Sequence, residues 1–191
     1  MRPLREHITG FGRMMFIGLA LLGGCQQGVD RELEQAEFVV DAFYSFEESV
    51  LRESLARAES VELAVYYQAW ARAANYAVEE RRPCERAGAD MLQCAIKVSD
   101  DFGRALGYQA TDTFKLTLSQ GVIVDITFEA DDPPLFNTIV EDMLAAQPDI
   151  ALGVCKDMFA GGDQPGACAR AVVAAVEAYA KAQSAGLAVS Q

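Results

Sequence analysis

Thr111-Asp112-Thr113-Phe114-Lys115-Leu116-Thr117-Leu118-Ser119-Gln120-Gly121-Val122-Ile123-Val124-Asp125-Ile126-Thr127-Phe128-Glu129-Ala130 is the stretch that decides the fold. Phe114, Leu116 and Leu118 alternate with Thr113, Lys115 and Thr117, so the first half reads as a strand with one apolar and one polar face. Gln120-Gly121 breaks the pattern, and a second strand follows. Two turns compete. A two-residue turn at Gln120-Gly121 sets Leu116 opposite Asp125 and Phe114 opposite Thr127. A three-residue turn, Ser119-Gln120-Gly121, pairs Leu118 with Val122, Leu116 with Val124 and Phe114 with Ile126, and puts Lys115 opposite Asp125. A one-residue slip moves every side chain to the other face, so the matched faces favour the three-residue turn, with Gly121 in its left-handed position.

Elements on either side follow from periodicity. Met91 to Asp100 alternates as another strand, with Leu92, Cys94, Ile96 and Val98 on one face. Upstream, Leu33, Ala36, Val40 and Phe43 make one face of a helix over 31–46. A shorter helix covers 47–57, with Val50, Leu51 and Leu55 inward. Ser60 is placed to cap a third helix that runs to about Glu80, with the stripe Leu63, Tyr66, Trp70, Ala73 and Ala77 and with Tyr67 beside it. Downstream, Asp132 is a candidate cap ahead of Pro133-Pro134 for a helix over 135–146. Pro148 interrupts it, a short helix spans about 150–159, and a loop holds Gly161-Gly162-Asp163. A last helix covers about 166–183, on the stripe Cys168, Ala171, Val172, Ala175, Val176 and Tyr179. The expected fold class is therefore α+β: N-terminal helices packed on a curved antiparallel sheet, with extra C-terminal helices.

The first 24 residues read differently. Arg2, Arg5 and Arg13 precede the apolar run 14–22, and Leu22-Gly23-Gly24-Cys25 closes it. This is the layout of an export signal, and the run is too short for the ~20 residues a membrane span needs. The segment resembles the signals of bacterial lipoproteins. That resemblance implies cleavage before Cys25, lipid on its thiol and its new amino group, and a periplasm-facing protein anchored in the membrane. Gln26, where an Asp would favour the inner membrane, implies the outer one. At ~0.8 kcal/mol per buried CH₂, three acyl chains make such attachment effectively permanent. Residues 25–30 are then a lipidated tether, 31–184 a single periplasmic domain and 185–191 a frayed tail.

Loss of 1–24 takes three Arg and one Glu with it, so the net charge of −12 becomes −14. Such a surface argues against nucleic acid, which needs clustered Lys and Arg. The chain's one histidine, His7, lies in the signal. A mature chain without His has no Ser-His-Asp or Cys-His nucleophile and no His-ligated metal. Four cysteines remain, Cys84, Cys94, Cys155 and Cys168. Local pairing into Cys84–Cys94 and Cys155–Cys168 is expected for an exported chain, since each pair flanks a short Gly-containing loop. No Cys-x-x-Cys spacing supports a metal, acidic loops lack EF-hand alternation, and no cofactor motif is present.

Three helices before the hairpin, and the piece Phe114-x-Leu116-x-Leu118-x-x-Gly121-x-Ile123-x-x-Ile126, resemble the nuclear-transport-factor-2-like (SnoaL-like) superfamily over about 31–132. The resemblance implies a cone of helices in a bent sheet around a pocket. Its members are isomerases, cyclases, dehydratases and hydrolases, and also non-catalytic binding modules; none of their catalytic motifs maps onto this chain, and fold alone does not give function. Two functions are therefore expected: a module binding a small apolar ligand or an envelope protein, or an enzyme with an Asp base and a Tyr donor. The candidate residues are Asp100, Asp112 and Tyr66. Each has a plainer role: Asp100-Asp101 as a strand end turning at Gly103, Asp112 as a strand start, Tyr66 as core. A dimer through the outer sheet face is disfavoured by polar Thr113, Lys115 and Thr117.

Overall fold

The computed structural model describes residues 23–158 and 160–189, without the side chains of 23–27 and 186–189. The signal segment 1–22 and the Cys25 side chain thus lie outside the described residues. The elements are α1 (Gly23–Tyr44), α2 (Glu48–Ser54), α3 (Val61–Ala73), β1 (Ala77–Arg81), β2 (Glu85–Gly88), β3 (Met91–Ser99), α4 (Asp101–Leu106), β4 (Ala110–Ser119), β5 (Val122–Ala130), α5 (Pro134–Ala146), α6 (Pro148–Ala151) and α7 (Pro165–Val189). The fold is α+β. One antiparallel sheet of five strands runs β1-β3-β4-β5, and β2 shares the outer edge of β3 with β1. No described helix is long and apolar enough to cross a membrane.

The hairpin takes the two-residue turn, contrary to the expectation. Ser119 pairs with Val122, leaving Gln120 (φ 52°) and Gly121 (φ 74°) as the loop. Two positive φ values are the signature of a primed turn, whose twist suits the strands it joins. The face mismatch that argued against this turn is removed by a bulge. Thr117 pairs with Asp125 but Leu118 with Ile123, so Val124 is an extra residue. Beyond it Leu116 meets Ile126 and Phe114 meets Phe128, and Lys115 bridges to Glu129 at 2.8 Å instead of facing Asp125.

That bulge docks the third helix. The Glu59 N–H donates to the Val124 carbonyl at 3.0 Å. Ser60, expected as a cap, makes no cap bond. Its hydroxyl accepts from the Ile126 N–H at 3.0 Å and faces the Ile126 carbonyl and the Asp125 carboxylate. α3 also ends seven residues early. Asn75 adopts φ 52°, a left-handed conformation that stops a helix and that Asn tolerates. Residues 77–80, expected as helix, instead belong to β1 on the edge of β3. The periodic stripe reached Ala77 only because alanine fits either structure.

Smaller corrections follow the same logic. The turn expected at Gly103 is the helix α4, where Asp100 Oδ1 accepts from the Gly103 N–H at 2.6 Å. Gly103 is obligatory there: a Cβ would meet the Tyr108 carbonyl at 2.5 Å. α5 begins after Pro133 with no side-chain cap, so Asp132 is free for another role. The helix expected over 150–159 is reduced to α6 followed by turns.

Two apolar clusters fill the interior. One joins α1 and α2 to the sheet through Val40, Phe43, Leu51, Ile96, Phe114 and Leu116. The other joins α3, α4, α5 and α7 through Trp70, Phe102, Phe136, Ile139 and Val172. α3 serves both, which is why Ala64, Tyr66, Gln68, Trp70 and Ala71 are buried around most of its circumference. Gln68 donates to the carbonyls of Ala42 (3.0 Å) and Phe43 (3.1 Å), satisfying the last turn of α1. The pairs Cys84–Cys94 and Cys155–Cys168 are both disulfides, as expected.

Candidate functional site

Tyr67, Tyr76 and Tyr108 are the half-buried side chains that pack against both clusters. Along this seam lies a cavity of about 190 Å³. Its walls are Tyr66, Tyr67, Trp70 and Ala71 from α3, Phe128 and Ala130 from β5, Phe136 and Asn137 from α5, and Tyr76, Asp132 and Met158 from the connecting segments. α3 supplies three rings because residues three and four apart share a helix face; β5 supplies Phe128 and Ala130 because alternate strand residues share a face.

The rings make a continuous belt. Tyr67 stacks on Phe128 at 4.9 Å and meets Tyr66 edge-on at 5.6 Å. Tyr66 stacks on Trp70 at 6.5 Å, Trp70 tilts against Phe102 at 6.0 Å, and Phe102 against Phe136 at 5.1 Å. These spacings fall in the range where aromatic pairs attract beyond the area they bury.

Three carboxyls gather at one end. Asp132 lines the cavity and accepts from the Tyr108 hydroxyl at 3.0 Å. Burial pushes its pKa up to about 6, with Asp100 and Asp131 adding to the rise and the Tyr108 bond opposing it. Asp112 lies deeper, fully buried in β4, and accepts from the Tyr44 hydroxyl at 2.5 Å. Burial outweighs that bond and raises its pKa to about 8, with Asp132, Asp100 and Asp131 contributing. Asp100, buried at the start of α4, is raised by burial and held back mainly by the Gly103 N–H. The Tyr76 hydroxyl stands among Asp112, Asp100 and Asp132, and its own pKa is driven far up by burial and by those carboxyls. It also favours ionised Asp100. Among the described residues, Asp100 Oδ2, Asp112 Oδ1 and the Tyr66 hydroxyl have no hydrogen-bond partner.

Burial raises Asp112 further than Asp132, so Asp112 keeps its proton to higher pH, and each carboxyl has its own tyrosine donor, Tyr44 for Asp112 and Tyr108 for Asp132. Neighbouring carboxyls of unequal acidity are a basis for acid–base chemistry. No three metal-ligating side chains converge among the described residues.

Of the residues singled out from sequence, Tyr66, Tyr67 and Trp70 line the cavity. Asp100 and Asp112 stand behind its wall, joined to it through Tyr76. Asp132, expected only as a cap, is the acid at the wall; Tyr44, Tyr76 and Tyr108 went unnoticed. One signal was available. Asp112 falls on the strand face shared by Ala110, Phe114 and Leu116, so alternation placed an acid inside.

No protein-family model matches this chain, and neither a curated protein nor a solved structure matches it.

Proposed function

We propose that the chain is a lipid-anchored envelope lipoprotein, held in the outer membrane through Cys25 and facing the periplasm, whose domain binds a small, mostly apolar molecule. The observation that carries the binding reading is the aromatic-walled cavity on the seam between the two cores. An apolar cavity of roughly 150 Å³ admits benzene, so about 190 Å³ suits a ligand of comparable size. Most of its wall is apolar, with a few placed polar groups, the usual character of a ligand site. The bent, cone-like sheet of the nuclear-transport-factor-2-like superfamily belongs to this proposal: helices on one face of an open antiparallel sheet agree with it. The stretch Leu22-Gly23-Gly24-Cys25 supports the anchor, and two disulfides suit an oxidising compartment.

Native mass spectrometry of the protein extracted from its own membrane tests both halves. The expected result is a mass carrying lipid on a chain that begins at Cys25, with four thiol hydrogens missing and a small molecule released on activation. An unlipidated chain retaining 1–24 overturns the anchoring, and a cavity that stays empty and takes up no small apolar compound overturns the binding.

A second reading, an isomerase, dehydratase or hydrolase, is favoured by one feature: Asp132 meets the cavity with a pKa of about 6 and a tyrosine partner. It makes Asp132 the base, in place of Asp100 or Asp112. Replacing Asp132 by Asn should then abolish turnover.

A further inference from the structure

We propose that the ligand of this cavity is a small organic cation, a quaternary or protonated amine, held against the aromatic wall at Trp70 and Phe136 with Asp132 as its counter-charge. The inference rests on reading the cavity as a binding site, and names what it binds.

The walls select the sign of charge. Aromatic faces carry negative quadrupole potential and attract a cation within about 6 Å of the ring centre. Asp132 is the one ionisable carboxyl among the lining residues, and no Lys or Arg is among them. Behind it stand Asp100 and Asp112, and each of these carboxyls is made harder to ionise by its acidic neighbours. A cation at the wall relieves that repulsion; an anion adds to it, in a setting too apolar to screen it.

Tyr66 lines the cavity, but its hydroxyl is buried away from that space and has no partner among the described residues, so the selection of charge rests on Asp132 and the aromatic wall. A metal ion fits poorly, since the cavity offers it rings in place of converging oxygens.

The test compares two compounds of one shape. Choline and 3,3-dimethyl-1-butanol differ by nitrogen against carbon at the branched centre, hence by charge. Both are titrated into the full-length chain in detergent, followed by calorimetry and by the emission of Trp70, the chain's only tryptophan, which lies in the wall. Choline should bind at least about tenfold more tightly, and Asp132→Asn should erase that preference while leaving the alcohol's affinity unchanged. The comparison on the unaltered chain does not depend on the variant folding. If the alcohol binds as well as choline or better, the cation inference is overturned and the apolar binding site stands. If neither perturbs Trp70, the binding site itself falls, and the inference with it.

Discussion

Burial raises the Asp112 carboxyl well above the ordinary range, and its cost can be read as a function of pH. Its pKa rises from an ordinary value near 3.9 in the unfolded chain to about 8 when folded. The folded state therefore binds a proton that the unfolded chain releases. Stability from this group is fully present below about pH 4 and is lost as pH rises towards 8. Asp132 acts in the same sense over a narrower window ending near 6. Asn at 112 can still accept from Tyr44 and cannot ionise. Asp112→Asn should therefore melt at a higher temperature than the parent, by a margin that widens from pH 5 to pH 8. Melting curves across that range check it, and a margin independent of pH would show that Asp112 ionises inside the fold as readily as in the unfolded chain. A residue kept at such cost, beside Tyr44 and Tyr76, is where function is commonly found.

The β4–β5 hairpin shows how one element reconciles two demands. Its turn wants positive φ at two successive residues, and its faces must match across the ladder. Gln120-Gly121 meets the first, and the bulge at Val124 meets the second. The carbonyl freed at the bulge then receives the Glu59 N–H, so the irregularity also positions α3 and the three rings it lends to the cavity. Gln is a poor occupant of the first turn position, where Asn is favoured. Gln120→Asn should stabilise the protein by roughly 0.5–1 kcal/mol, readable as a rise in the denaturation midpoint with unchanged slope. A fall in the midpoint would mean that the left-handed backbone at 120 is held by something other than turn chemistry.

At the scale of the molecule, two cores share α3 and meet along a seam of tyrosines, and the cavity is the space their packing leaves. Each core has one disulfide: Cys84–Cys94 on the sheet side, Cys155–Cys168 on the helical side. Replacing Cys155 and Cys168 together by Ala should cost ~3 kcal/mol in the chain-entropy model. Because α3 belongs to both cores, the loss should shift one cooperative transition. Two separate transitions, by fluorescence of Trp70 and by far-ultraviolet dichroism, would show the cores to be independent. Periodicity and short loops determined much of this protein: the α+β class, the inward faces of β3 and β4, the apolar stripes of α1 and α7, and the local cysteine pairs. These follow from side-chain spacing and short loops, which are properties of the chain. The end of α3 at Ala73, the strand at 77–81, the bulge at Val124 and the role of Asp132 were settled only by tertiary structure. In each, local preference is nearly balanced, and partners distant in sequence tip it: β3 for residues 77–81, Glu59 for the bulge, Tyr108 for Asp132. The site is made of such long-range meetings, which no spacing along the chain encodes.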